Sequence, residues 1–532
     1  MRRRTFTAAV AALPVLPTLV GCRSAPGPAD DGAMPTTIRL VDGIEPDSLS
    51  PLAAMYGLST KFHDGLLRLT GAGGVEPELA TALPTRDESG TSWTVTVAAD
   101  RPYADGTVVT AEDVAATYRA ILDPAVGSPL ATQFAMLREV VTDGEQVEFR
   151  LAEPYAGFDR LLTVGIAPAA VVGEPLETSP LTRSPMGAGP YQLEQWRPGE
   201  SMVLTANPHH PAKPYVDRIV ISFVADQNAI LQRAAAGSID GAQLAPVLAR
   251  TFERREGWQV WANPSADFRA ITFPRNDPAY ADPRVRRALN LGVDRQRMVD
   301  GILFGHGSPA HTPFSADQGD VFDAGSVFDH DPDQAGRLLT EAGWIPAGEG
   351  IRRKGGVELG LTVMYFANDV LRRDLAVAFA ADLADIGVRV DVEAVTRSAV
   401  KQRIPDDGLV FGGGDMPYHP DQHVSALLDG RYATFDPGAP YRNPSGYANA
   451  EVDELLREGR TATDADSRTG AYRRLQQVYV TDPAMVTLVT LRHTYVIRDA
   501  EAWNGLEPVL EPHEHGVAWG PWWNVERWRP KP

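Results

Sequence analysis

The sequence predicts an α/β fold built from more than one domain, and three observations carry that reading. Residues 359–365, 371–386 and 388–395 read as strand, helix and strand in succession, the order that a right-handed parallel crossover produces. Residues 191–223 instead alternate apolar and polar positions around turn residues, the pattern of an antiparallel hairpin followed by a third strand. At 532 residues the chain is long for one hydrophobic core, so two or three domains are expected. Its composition, 43% hydrophobic and 22% charged, is ordinary for a globular protein. A net charge of −19 argues against a nucleic-acid surface, because a phosphate footprint needs clustered Lys and Arg.

The amino terminus is a targeting segment. Arg2, Arg3 and Arg4 precede an apolar run from about Ala8 to Val20, short of the roughly 20 residues a spanning helix needs, so it reads as a secretory signal. It ends in Leu19-Val20-Gly21-Cys22, which resembles the lipobox of bacterial lipoproteins; that resemblance implies cleavage before Cys22 and a diacylglycerol on its thiol. Cys22 is the only cysteine, so no internal disulfide and no cysteine-based metal or redox site can form. Arg3-Arg4-Thr5-Phe6 also fits the start of a twin-arginine signal, which leaves Sec and Tat export both open. Residues 1–22 are therefore expected to be a signal peptide with its lipobox, and 23–35, rich in Pro, Gly, Ala and Asp, a flexible tether. No second segment reaches transmembrane length, which predicts a mature protein anchored at its amino terminus and otherwise soluble.

Residues 36–43 are the first expected strand. Further on, Asp105-Gly106 makes a turn and Thr110 can cap a helix whose first turn holds Glu112 and Asp113, where acidic groups meet the positive end of the helix dipole. That acidic pair reads as a helix start, not as catalytic carboxylates. Val114, Tyr118, Ile121 and Leu122 line one face, and Asp123-Pro124 stops the helix. Gly187, Gly189 and Pro190 form a tight turn, followed by a hairpin carrying Tyr191, Leu193, Trp196, Met202 and Leu204 with Pro198-Gly199 at its tip. Ile219, Ile221 and Phe223 form the third strand. Asp282-Pro283, Asp294 and Asp331-Pro332 begin three helices by cap and first-turn preference, the second with Met298, Val299, Ile302 and Leu303 as its apolar face. The arginines between 284 and 295 read as a solvated, ion-paired helix face. Late helices are expected at 451–456 and 471–480.

Several separated words occur in one order: Ser184-Pro-x-Gly-x-Gly-Pro-Tyr191, Trp196-x-Pro-Gly-Glu200, Asn207-Pro208 and Lys213-Pro-Tyr-x-Asp217. Together with residues 105–114 and 282–295, they resemble the extracellular solute-binding proteins of family 5, the peptide-, dipeptide- and nickel-binding components of ABC importers. The resemblance implies a periplasmic-binding-protein-like, two-lobed α/β clamp with an additional inserted domain. Its implied division is 36–75, 180–270 and 490–532 for the first lobe, 76–179 for the inserted domain and 271–489 for the second lobe. Chain crossings near 270 and 490 would be the hinges, and the tryptophans at 519, 522, 523 and 528 would pack back on the first lobe. Ligand would be captured by lobe closure.

Residues 410–428 correspond in order to the family's ligand-side loop, often written Trp-x-x-Asp-Tyr-x-x-Pro. Peptide binders use that aspartate to hold the α-ammonium, since a desolvated cation needs a fixed counter-charge. Asp415 is the candidate, one residue further from Pro420 than the pattern, and Gly412 to Gly414 stand where the Trp is missing. Pro417-Tyr418-x-Pro420 resembles the nickel-binding subgroup, which nominates Tyr418 as a pocket residue, and Tyr56 falls near that subgroup's early pocket-lining segment; Met416 and His419 complete the candidate ligand set. His419 and His423 lie four apart, but Pro420 and the glycines oppose a regular helix across them, so no metal site is assigned. His513-Glu514-His515 reads as a surface turn. There is no Gly-x-Ser-x-Gly, His-Glu-x-x-His, Walker loop or Cys-x-x-Cys, which argues against an enzyme; a secreted lipoprotein hydrolase is the contrasting class.

The resulting expectation is a monomeric, lipid-anchored, extracytoplasmic binding protein without a cofactor and without nucleic-acid contacts. It would deliver a short peptide to ABC permease subunits. A nickel or metal-chelate ligand is the alternative. A chelate would need its anions balanced by arginines, and no arginine pair stands out in the sequence, which favours peptide.

Overall fold

A computed structural model describes residues 36–348 and 350–532; the signal segment, Cys22 and the tether lie outside the described residues. No helix among the described residues is long and apolar enough to cross a membrane.

The centre of the molecule is an eleven-stranded sheet with a parallel group at each end and two long antiparallel strands between them. In one group Thr37–Asp42 pairs in parallel with Arg218–Phe223 and with Gly241–Gln243, and the hairpin Tyr191–Arg197/Ser201–Ala206 extends the edge. In the other, Gly360–Phe366 lies between Arg389–Val395 and Gly408–Gly413, both parallel to it. The crossover helix Val370–Asp385 buries Leu375, Phe379 and Leu383 against this sheet, as its spacing predicts. Trp258–Thr272 and Met485–Arg498 pair along their length and join the two groups. Their register shifts between Pro264 and Phe268, where a proline without an N–H interrupts the ladder.

A separate four-stranded antiparallel sheet, Thr85–Arg86, Ser92–Thr96, Gln146–Leu151 and Leu137–Asp143, packs on the helix Ala111–Leu122. The helix start is a capping box: Thr110 Oγ1 accepts from the Asp113 N–H at 3.2 Å and Asp113 Oδ2 accepts from the Thr110 N–H at 2.9 Å. Asp113 is thus held by a structural task. Asp282, Asp294 and Asp331 cap their helices as the sequence indicates, accepting from the N–H groups of Arg284, Arg297 and Gln334. The second of these helices ends at Gly301, earlier than expected, with Phe304 and Gly305 both at positive φ.

Arg295 corrects the reading of a solvated arginine face. It is buried, and its Nε donates to the Ala310 and Thr487 carbonyls, both at 2.8 Å, while its other nitrogens reach Asn290. As the first residue of its helix it points back into Met485–Arg498, and burial lowers its pKa to about 9. The tryptophan-rich carboxyl terminus returns to residues near the start of the described chain. The Lys61 ammonium donates to the Trp522 and Trp523 carbonyls at 2.9 and 2.6 Å.

Candidate functional site

Three neighbouring parallel strands end together. Beyond Phe366 comes Asp369, the cap of the next helix, and then Arg372; beyond Val395 comes the cap Thr396 and then Arg397; beyond Gly413 come Gly414 and Asp415. In open α/β sheets the crevice outside the carboxyl ends of the strands is where ligands bind. A cavity of about 390 Å³ lies at this edge, and Arg372, Arg397, Asp415, Tyr441, Arg442 and His513 line it.

Other groups approach Gly412, Gly413 and Gly414 closely. A Cβ on Gly412 would come 2.5 Å from His513 Cε1, 2.7 Å from Arg372 Nη2 and 3.0 Å from Arg269 Nη1. On Gly413 it would meet the Phe268 ring at 2.6 Å, and on Gly414, which has φ +117°, the Ala266 carbonyl oxygen at 2.3 Å. The strand end is therefore thin, and two guanidinium groups and an imidazole converge over it.

Beneath the cavity lies a buried ionic network. Asp267 receives Arg269 and His513, the latter at 2.7 Å, and His493 Nε2 at 3.0 Å. The other ring nitrogen of His493 is 2.5 Å from Glu511, which also accepts from the Tyr495 hydroxyl at 2.8 Å and the Gly520 N–H at 2.7 Å. Both His493 nitrogens face carboxylates, so the ring is held as a cation: burial opposes the charge, but Glu511 and Asp267 raise its pKa to about 9. Burial likewise opposes the Asp267 carboxylate, and Arg269, His513 and His493 outweigh it, holding its pKa well below the usual range.

Asp415 keeps access to solvent through the cavity mouth while protein crowds its other sides. Loss of water raises its pKa, Asp267 adds to the rise, and His513 and Arg269 oppose it. Glu514 is also exposed, yet restricted hydration, then the negative charges of Asp415 and Asp42, push it up to about 7. Residues 513–515 lie in a loop with Glu514 exposed, as expected of a surface turn, and the fold also brings His513 to the cavity wall and Glu514 into the field of Asp415. The view that no arginine pair is available is likewise overturned, since Arg372, Arg397 and Arg442 share one cavity. The usable signal was position: two of the three open helices directly after parallel strands.

The other nominated residues lie in packed contacts. Met416 and Tyr418 are buried in the same apolar core as Tyr56 and the four-stranded sheet. The Tyr418 hydroxyl donates to the Leu510 carbonyl, and its ring meets Tyr56 edge-on at 5.9 Å. His419 caps the helix Pro420–Leu428 and donates from Nε2 to the Gly157 carbonyl at 3.0 Å; His423 donates to the Pro313 carbonyl at 2.7 Å. Burial lowers their pKa values to about 3 and about 4, so both rings are neutral and turned to different partners. Asp64, Glu78 and His210 bring potential metal-ligand atoms within 4.8 Å of one another. However, Arg101 Nη2 already bridges Asp64 at 2.9 Å and Glu78 at 2.6 Å, filling the place of a cation.

A family model described as bacterial extracellular solute-binding proteins, family 5 Middle, matches residues 74–434. The chain belongs to that family. It is 36% identical over 518 residues to Protein XP55 of Streptomyces lividans, covering 96% of this chain and 94% of that protein. It is 27% identical over 451 residues to the probable D,D-dipeptide-binding periplasmic protein DdpA of Escherichia coli, covering 83% of this chain and 84% of that one. Among solved structures, NikZ from Campylobacter jejuni in complex with Ni(L-His) superposes with a TM-score of 0.82 at 24% identity, covering 94% of this chain and 100% of that chain. The fold is thus the periplasmic-binding fold of family 5, and the cavity at the strand ends lies within a solute-binding scaffold of ABC importers.

Proposed function

We propose that this protein is the lipid-anchored, monomeric binding component of an ABC importer that captures short peptides and hands them to membrane permease subunits. The observation that carries the reading is the charge lining the 390 Å³ cavity: Asp415 together with Arg372, Arg397 and Arg442 offers partners for both the ammonium and the carboxylate of one zwitterion. The relative DdpA, described as a probable D,D-dipeptide binder, is consistent with that ligand class. Asp415 is the direct ligand residue in this reading. Met416, Tyr418, His419 and Tyr56 act behind it, fixing the loop that carries it.

The division into a first lobe at 36–75, 180–270 and 490–532, an inserted domain at 76–179 and a second lobe at 271–489 fits this function. Trp258–Thr272 and Met485–Arg498 serve as the hinge strands, and their register shift near Pro264 offers a point of flexure. A metal held by a carboxylate-bearing chelator is the second reading. It is favoured by the arginines, which could neutralise chelator anions, and by the likeness to a fold crystallised with Ni(L-His). Native mass spectrometry of protein purified from its host tests both readings. A co-purified peptide mass supports the first, a metal-chelate mass replaces it with the second, and a chemically unrelated solute removes both.

A further inference from the structure

The cavity holds more positive charge than one terminal carboxylate uses. Arg372 is nine-tenths buried and pairs with Asp369 at 2.6 Å, leaving its Nε without a hydrogen-bond partner. Among the described residues neither Arg397 nor Arg442 has a carboxylate partner, although acidic residues outnumber basic ones 69 to 50 in the whole chain. Aromatic rings lie against all three cations. Arg372 and Arg397 lie over Phe366 at 5.1 and 4.7 Å from its centroid, and Arg442 lies over Tyr432 at 5.0 Å. A guanidinium resting on a ring loses less conformational freedom when its donor fork engages a carboxylate, and like charges gathered in a recess gain most from an anion.

We propose that Arg397 and Arg442 form a second anionic subsite, so that the preferred cargo carries two carboxylates, one at its end and one on an acidic side chain beside it. This rests on the cleft being the site of an amine-bearing solute, and it adds a selectivity that a zwitterion site by itself would lack.

The test is titration calorimetry with the dipeptides Ala-Glu and Ala-Gln, which differ by one charge at nearly constant shape. Wild-type protein should bind Ala-Glu at least tenfold more tightly, with the preference shrinking as salt is raised. Arg397→Gln and Arg442→Gln should each remove most of that preference, weakening Ala-Glu by a larger factor than Ala-Gln, and Arg397→Lys should restore part of it. Circular dichroism melting checks that each variant is folded. Equal affinities for the two dipeptides would overturn the second subsite and leave the peptide reading standing. If neither dipeptide binds, the dipeptide ligand and the second subsite proposed for it are both overturned.

Discussion

Tyr155 stacks on His419 with ring centroids 5.0 Å apart and planes 19° from parallel, and its hydroxyl donates to Asp421 at 3.2 Å. This pair joins the element that follows the four-stranded sheet to the loop carrying Asp415. Two further bonds reinforce it: Arg460 binds Asp421 at 3.0 Å, and the Ala156 N–H donates to the Arg460 carbonyl at 2.8 Å. Removing the hydroxyl with Tyr155→Phe keeps the stack and leaves Asp421 short of a donor. The expected loss is about 1.5–3 kcal/mol in denaturant unfolding, since the bond is to a charged acceptor. Hydrogen exchange should quicken at residues 415–423; an unchanged exchange pattern would mean the pair is not a restraint on the loop.

His493 makes stability depend on alkaline pH. Its folded pKa, about 9, lies above the ordinary value of 6.5. The stabilisation is therefore fully present below about 6.5 and is lost as pH rises through about 9. Melting temperature should fall across that window, and His493→Gln should flatten the fall. The same substitution leaves Asp267 and Glu511 buried beside each other with their shared cation gone, at a cost of about 3–5 kcal/mol.

Gly412 and Gly414 should respond differently to alanine. At Gly414 the added methyl meets backbone and the residue sits at φ +117°, so the strain has no cheap outlet and about 1–3 kcal/mol of stability should be lost. At Gly412 the methyl meets side-chain ends only, those of His513, Arg372 and Arg269, so room for it comes from displacing groups at the cavity. Gly412→Ala should therefore reduce solute affinity, read by calorimetry, more than it reduces melting temperature.

Asp415→Asn should weaken an amine-bearing ligand about tenfold or more, because the ammonium loses its counter-charge. Glu514 adds a pH term. Its carboxyl has a folded pKa of about 7, above the ordinary 4.5, so its folded-state preference is for the protonated form and the associated stability is lost as pH rises through 7. The negative charge that appears over the same window should tighten amine binding between pH 6 and 8. Glu514→Gln should flatten that dependence, and a slope that survives the substitution would assign it to another group.

Cys22→Ala should release the protein from the membrane fraction of its host, measured by fractionation and immunoblotting. Retention in the membrane pellet would remove the lipid anchor from the proposal.

Local chemistry decided which elements form. Thr110 with Asp113, Asp282 before Pro283 and the alternation of 191–204 act over a few residues, so caps, turns and strand periods were legible without the fold. The ordered words at 184–217 likewise sufficed to recognise family 5. What the sequence could not contain was the convergence of Arg269, Arg372 and His513 on Gly412, positions separated by up to 244 residues along the chain. Nor could it place His493 between Asp267 and Glu511, or turn Arg295 inward. Charge pairing and burial are set by which strands lie side by side. Only the joining of two parallel groups through the long antiparallel pair brings those distant side chains to one edge and makes a recess of it.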